Sequence, residues 1–93
     1  MTLNSDLKDK LIEIQEKEIT EYTIYRKVSE SIKGNNSEIL KQISEDELRH
    51  YNEWKGYTQT EVHPNRISVF KYLIISKVFG LMFMMKLLLT KIV

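Results

Sequence analysis

Apolar residues recur at alternating intervals of four and three along the first third of the chain. From residue 7, the positions 7, 11, 14, 18, 21, 25, 28 and 32 read Leu, Leu, Ile, Glu, Glu, Tyr, Val and Ile. This spacing keeps one residue per turn on the same side of a helix, which is typical of a helix packed lengthwise against another. With Ser5 as N-cap and Gly34 just past the end, the pattern predicts a first helix over residues 5–33.

A second stripe with the same spacing begins directly after Gly34. Asn35 and Ser37 are candidate caps and Gly56 is a candidate end. The positions of this stripe are Ile39, Ile43, Glu47, His50 and Trp54. A loop of about three residues folds two helices back into an antiparallel hairpin. Folding about residue 35 then brings positions whose numbers sum to about 70 to the same height.

The last part of the chain is apolar and contains no acidic residue. Residues 67–93 predict a third, apolar helix, and residues 57–66 are the linker between it and a hairpin domain over residues 1–56. Lys77 and Lys86 argue against a membrane span, because a charge near the centre of a span costs about 2.5–3.5 kcal/mol. Packing between two copies of the chain and contact with a membrane surface are the remaining expectations for this helix.

Composition limits the classes of function. The 93 residues suffice for one small domain, and the net charge of +1 without a basic patch argues against a nucleic-acid partner. The chain has no cysteine, which excludes disulfides, zinc ribbons and cysteine-held clusters. A metal would therefore need nitrogen and oxygen ligands. No apolar leader follows Met1, so a cytoplasmic location is expected.

Both predicted seams turn polar at the same height of the hairpin. The residues concerned are Glu18 and Glu21 on the first helix and Glu47 and His50 on the second. Glu47 and His50 are three apart and so share one helical face, which suits two ligands of one metal. Iron is the expected metal, with manganese or zinc as alternatives. The plainer interpretation is a solvated polar face or a buried Glu–His ion pair.

The number of candidate ligands predicts a second copy of the chain. Four-helix di-iron carboxylate bundles take one Glu from each of two helices and a Glu-x-x-His from each of the other two. This chain supplies one of each, on half of such a bundle. We therefore expect an all-α protein in which an antiparallel hairpin with a third apolar helix dimerises, or forms a larger homo-oligomer, into a four-helix bundle.

The segment "EITEYTIYRKVSESIKGNNSEILKQISEDELRHYNEWKGYT" resembles the first helix pair of the rubrerythrin branch of the ferritin-like superfamily. It is most similar to the ferritin-like domain attached to membrane proteins of the vacuolar iron transporter family. That resemblance implies Glu18 as the first-helix iron ligand, Glu47 as the bridging ligand and His50 as the terminal imidazole. It places Tyr25 beside the di-iron centre. Glu21 lies outside the minimal set, as an additional ligand or as a hydrogen-bond acceptor for one.

The resemblance also sets out the expected functions. Rubrerythrins carry a second helix pair with a second ligand set and a cysteine-held iron domain, and this sequence contains neither. The first expectation is a di-iron site, shared by two chains, that oxidises ferrous iron with dioxygen or peroxide, as a ferroxidase or peroxidase-like enzyme. The alternatives are an iron-binding or regulatory module for a membrane iron transporter, without turnover, and a metal-free helical dimerisation module.

Overall fold

Four α-helices follow one another along the chain. The computed structural model describes residues 4–90 and has α1 at Ser5–Ser31, α2 at Asn35–Thr58, α3 at Arg66–Phe79 and α4 at Leu81–Thr90. No strand occurs within those residues, and the prediction of an all-α protein is confirmed.

The turn between α1 and α2 depends on Gly34. Its φ of 84° lies in the left-handed region, which glycine adopts without a clash from a Cβ atom. The Gly34 carbonyl accepts a hydrogen bond from the backbone N–H of Ser37 at 3.1 Å, and Ser37 Oγ donates to the carbonyl of Ser29 at 2.7 Å. Gly34 is thus the N-cap of α2, and α1 ends at Ser31 because Ile32 is already extended. The predicted end at residue 33 was two residues too late.

Two other helix ends differ slightly from the prediction. Asn4, not Ser5, caps α1, since its side chain accepts a hydrogen bond of 2.8 Å from a backbone N–H of the first turn. Asparagine and serine are both strongly preferred at the N-cap, so the sequence does not indicate which of the two neighbouring residues caps the helix. Helix α2 continues through Gly56 and ends at Gln59, which takes a left-handed conformation and donates its backbone N–H to the carbonyl of Lys55 at 2.7 Å.

Helices α1 and α2 form the predicted antiparallel hairpin. Side-chain contacts join residue 15 to residue 58, residue 18 to residue 50 and residue 29 to residue 37. The numbers of each pair add to between 66 and 73, around the predicted value of about 70. The polar positions of both helices therefore lie at the same height, as the sequence predicted.

The face that α2 buries is shifted by one residue from the predicted seam. Its buried residues are Leu40, Ser44, Tyr51 and Thr58. The serine and threonine can be buried because their hydroxyls have partners, the carbonyl of Lys41 for one and the side chain of Gln15 for the other. Hydrophobicity alone ranks serine and threonine below isoleucine, and for this reason the sequence pattern placed the centre of the buried face one residue too early, although Ile43 of the predicted seam still packs against the core.

The predicted seam of α2 is instead a partly open surface, which we call the open stripe. It comprises Ile39, Ile43, His50, Trp54 and Tyr57. Ile39 is 54% exposed and Tyr57 is 68% exposed, although both recur at helical spacing with the others. Glu47 lies between the open stripe and the buried face.

The linker of residues 59–65 is tied to the hairpin by hydrogen bonds. Tyr51 Oη accepts from the backbone N–H of Val62 at 2.8 Å and donates to the carbonyl of the same residue at 3.1 Å. Thr20 Oγ1 accepts from the backbone N–H of Asn65 at 2.9 Å. These bonds satisfy backbone groups outside the helices and hold the start of α3 against α1.

The predicted single helix over residues 67–93 is two helices instead. Gly80, with a φ of 94°, ends α3, and α4 starts at the next residue. Because the helix breaks at Gly80, Met84 and Leu88 of α4 pack against the core residues of the hairpin. A continuous helix would place these two residues beyond the hairpin. Residues 91–93 lie outside the described residues. Within residues 4–90, no helix combines the length and apolarity that a bilayer crossing needs.

One hydrophobic core joins all four helices. Its members are Ile24, Tyr25 and Val28 from α1, Leu40 from α2, Val69 and Tyr72 from α3, and Met84 and Leu88 from α4. The unbranched side chain of Met84 is fully buried there, where its flexibility suits an irregular gap. The core lies beside the height of the hairpin at which its polar residues meet. Tyr72 of α3, a buried core residue, therefore lies close to Glu21.

Candidate metal centre

Three of the predicted ligands meet between α1 and α2. His50 Nδ1 lies 3.4 Å from Glu18 Oε2 and 3.4 Å from Glu47 Oε1. One ligand atom from each of the three side chains lies within 4.8 Å of the other two. Glu47 and His50 come together because they are three residues apart on one helix, and Glu18 joins them through the antiparallel register. Their role as metal ligands stays a prediction.

The cluster is buried at its carboxylates and open at its imidazole. The side chains of Glu18 and Glu47 are 13% and 16% exposed, whereas that of His50 is 42% exposed. Glu18 Oε2 is buried and has no hydrogen-bond partner in the described part of the chain, since the approach of His50 does not have hydrogen-bonding geometry. An unsatisfied buried acceptor costs about 1–3 kcal/mol, and more when it is charged. A cation bound beside His50 would remove that cost.

A buried polar contact one turn away sets the distance between the two helices. Gln15 Nε2 donates to the carbonyl of Thr60 at 2.8 Å, and Gln15 Oε1 accepts from the hydroxyl of Thr58. Gln15 and Thr58 are both buried. Because Gln15 is three residues before Glu18 on α1, this contact fixes the position of the first candidate ligand relative to α2. The sequence pattern did not identify it.

The carboxyl group of Glu47 binds a proton far more tightly than an ordinary glutamate. Its pKa is raised from 4.5 to about 8, first by burial, then by a hydrogen bond with Glu21, by the charge of Glu18 and by a hydrogen bond with Glu18, whose Oε2 is the atom without a partner. In the metal-free protein Glu47 is therefore largely protonated at neutral pH. Glu21 is connected to the cluster through this pair, which fits either of the two roles considered for it.

Two tyrosines lie against the acidic cluster. The pKa of Tyr25 is raised to about 12 by burial and by the charges of Glu21 and Glu47, and a place for Tyr25 beside a di-iron centre stays a prediction. Tyr72 of α3 is also buried, and its pKa is raised by burial and then by Glu21. Sequence reasoning missed Tyr72 because it lies in a separate helix, and no local spacing connects it to Glu21.

A groove of about 240 Å³ runs along α1 next to the cluster. Its lining includes Glu13, Glu16, Lys17 and Glu21 of α1, with Tyr72 and Leu88 from the helices opposite. Acidic residues along a groove raise the local concentration of cations. The groove therefore offers a cation a path from solvent to Glu21, on a different side from the exposed imidazole of His50.

The donor set fits one metal ion and lacks ligands for a complete dinuclear site. Two carboxylates and an imidazole suit iron or manganese, and zinc accepts the same donors. The buried Oε2 of Glu18 without a hydrogen-bond partner is the observation that best fits a cation-binding role for this cluster. Glu18, Glu47 and His50 amount to two carboxylates and one imidazole, half of the four carboxylates and two imidazoles that the four-helix di-iron bundles use, and Glu21 is a third carboxylate beyond that half set.

Comparison of the chain with known protein families, with curated proteins and with solved structures finds no match. The ferritin-like resemblance thus stays an expectation that rests on the motif residues themselves.

Proposed function

We propose that this protein binds ferrous iron through Glu18, Glu47 and His50 and oxidises it with dioxygen or peroxide. The observation that carries the proposal is the buried, unpartnered Oε2 of Glu18 facing the imidazole of His50. Burying such a group without compensation is unfavourable, and a metal ion is the partner that also satisfies the neighbouring carboxylate and imidazole.

The proposed centre is dinuclear and is completed by a second copy of the chain. The open stripe supports this step, because it presents Ile39, Trp54 and Tyr57 at helical spacing on either side of His50. A second hairpin packed on the open stripe would cover the exposed imidazole and bring a second Glu and a second Glu-x-x-His to the same level. The result is a ferritin-like four-helix bundle with twofold symmetry.

Each residue of the cluster has a defined task in this proposal. Glu18, Glu47 and His50 would hold the iron, with Glu47 lying between the buried face and the open stripe. Glu21 shares a hydrogen bond with Glu47 and so holds the carboxyl group of Glu47 in place. Tyr25 and Tyr72 keep one side of the cluster dry. When bound, the iron pair supplies the redox chemistry.

Anaerobic titration with ferrous iron, followed by exposure to air, tests the proposal. We expect tight binding of one ion per chain, loss of binding in Glu18→Ala, and rapid appearance of ferric absorbance on aeration. Glu45→Ala, an exposed glutamate on α2, is the control and should bind as the unchanged protein does. Tight binding without accelerated oxidation would instead identify the module that captures iron for a membrane transporter without turnover.

Light scattering tests the shared site separately. We expect a dimer that Ile39→Lys and Tyr57→Lys together convert to a monomer with at least about tenfold weaker iron binding. The same substitution at exposed Ile67 of α3 is the control. A wild-type monomer with full iron affinity would contradict the shared centre.

The metal-free dimerisation module is the second candidate, and the raised pKa of Glu47 favours it. A proton on Glu47, shared with Glu21, already removes part of the charge repulsion in the cluster. In that case the dimer would form with unchanged affinity in the presence of a chelator, and added ferrous iron would not raise the thermal midpoint.

A further inference from the structure

The outer face of α3 carries an apolar stripe. Its residues are Ile67, Phe70, Ile74 and Val78, all of them exposed, with Ile67 at 81%. Spacings of three and four place them on one side of the helix. The opposite side of α3 packs Val69 and Tyr72 into the core. The stripe is thus a second apolar surface of α3, without a partner in the part of the chain that the structure describes.

Basic residues flank this stripe on both edges. At 3.6 residues per turn, Arg66 and Lys77 fall next to Phe70 on one edge, and Lys71 falls next to Val78 on the other. All three basic residues are exposed. Such an arrangement lets long side chains reach headgroup phosphates while the apolar stripe enters the acyl region.

Helix α4 carries another apolar patch past Gly80. Phe79, Met82, Phe83 and Leu89 are exposed and surround Lys86. The rings of Phe79 and Phe83 lie 5.1 Å apart, in a tilted arrangement. At 3.6 residues per turn Phe79 falls about half a turn away from Phe70, so the α4 patch is separate from the α3 stripe. We call the α3 stripe and its flanking basic residues the cationic apolar face.

Charge is divided sharply along the chain. Residues 1–61 contain all 13 acidic residues and 9 of the 14 basic ones, whereas residues 62–93 contain 5 basic residues and no acidic one. The hairpin is therefore acidic, and α3 and α4 are basic. An anionic surface would attract the cationic apolar face and repel the hairpin, so the charge pattern also sets an orientation.

We propose that the cationic apolar face docks on an anionic lipid surface. A second copy fits this face less well. Symmetric pairing would bring the basic residues of the two copies together, and Glu30, the acidic residue that lines the groove beside Lys77, already pairs with Arg26 at 3.4 Å. Pairing with the hairpin of another copy is less suitable, because Ile39 and Tyr57, two of the three large hydrophobic residues exposed on the described hairpin, belong to the open stripe that packs on a second hairpin in the proposed dimer.

Flotation with lipid vesicles tests the proposal. We expect the protein to float with vesicles of mixed phosphatidylcholine and phosphatidylglycerol, to stay behind with phosphatidylcholine alone, and to dissociate as salt is raised. Arg66→Glu combined with Lys77→Glu should weaken binding to the anionic vesicles at least about tenfold. Lys10→Glu combined with Lys33→Glu, the same change of charge on exposed hairpin positions, should change it by less than about twofold.

An apolar substitution separates lipid insertion from simple charge attraction. Phe70→Ser should weaken vesicle binding, whereas Leu7→Ser on α1, an exposed apolar residue outside the open stripe, should not. Equal binding to neutral and anionic vesicles, absence of binding to either, or equal effects of the two charge-reversed variants would each overturn the proposal. So would a dimer that Phe70→Ser dissociates in solution, because the face would then be an interface between copies.

Discussion

The imidazole of His50 on α2 and the carboxylate of Glu18 on α1 face each other across the hairpin at 3.4 Å. The oxygen of Glu18 that makes this approach is buried and makes no hydrogen bond within residues 4–90. The two residues are 32 positions apart in sequence, yet the antiparallel register alone brings them together. A buried carboxylate oxygen without a hydrogen-bond partner destabilises the folded protein unless a cation binds beside it.

Replacing Glu18 by glutamine should separate stability from metal binding. The amide is neutral and nearly isosteric. The free energy of unfolding of the metal-free variant should therefore equal the wild-type value or exceed it by up to about 1 kcal/mol. Binding of ferrous iron should fall at least about tenfold, since a carboxylate ligand is lost. Calorimetric unfolding and iron titration measure the two effects, with exposed Glu16→Gln as control. A large loss of metal-free stability would mean that Glu18 already has a cationic or hydrogen-bonding partner.

The raised pKa of Glu47 predicts that the metal-free protein is less stable at alkaline pH. The folded state holds this proton up to about pH 8, whereas the unfolded chain releases it near 4.5. The stabilisation that the Glu47 proton gives to the folded state is fully present below pH 4.5 and is lost as pH rises through about 8. Its size is a few kcal/mol at most, since one pKa unit corresponds to about 1.4 kcal/mol. Chemical denaturation between pH 5 and about pH 9 should reveal this slope.

Glu47→Gln provides the matched test of that slope. The amide imitates the protonated carboxyl group, so this variant should keep its stability across the same pH range, whereas Glu45→Gln should retain the wild-type slope. A wild-type slope in Glu47→Gln would mean that another group binds the proton.

Iron affinity should depend on pH for the same reason. A metal ion needs the deprotonated carboxylate of Glu47, so binding releases its proton and should strengthen as pH rises toward about 8. Titrations in buffers of different ionisation enthalpy measure the protons released. Iron binding without proton release at pH 7 would show that Glu47 is not a ligand.

Replacing His50 by glutamine should lower iron affinity at least about tenfold, because a nitrogen ligand is lost. His63→Gln is the matched control, since His63 is an exposed residue of the linker. Metal analysis after dialysis gives the occupancy of each variant. Equal occupancy in the two variants would leave the imidazole of His50 without a role at the site.

Gln15→Ala should destabilise the hairpin beside the cluster. The substitution leaves the hydroxyl of Thr58 and the carbonyl of Thr60 without their side-chain partner and creates a small cavity, for a cost of about 1–3 kcal/mol. Gln42→Ala, on the exposed side of α2, should cost little. Thermal unfolding compares them, and an equally small effect at both positions would show that the Gln15 contact does not hold the helices together.

The amino-acid sequence by itself determined the helical hairpin and the level at which its polar residues meet. The spacing of Leu11, Glu18 and Tyr25 along α1 and of Glu47 and His50 along α2 is a local property of a helix. The short turn at Gly34 then sets the register for every residue that follows. Because both features act over a few residues, a sequence pattern is enough to predict that Glu18 and His50 lie at the same height.

Only the tertiary structure decided which face of α2 is buried and what surrounds the cluster. Ser44 and Thr58 are buried in the interface because their hydroxyls have hydrogen-bond partners there. Hydrophobicity favours Ile39 for burial and gives no information about such partners. Tyr72 reaches Glu21 only after the linker has bent α3 back against α1. The proton on Glu47 follows from burial and from neighbours on another helix. Desolvation and long-range contacts exist only in the packed protein, and for that reason spacing along the chain did not predict them.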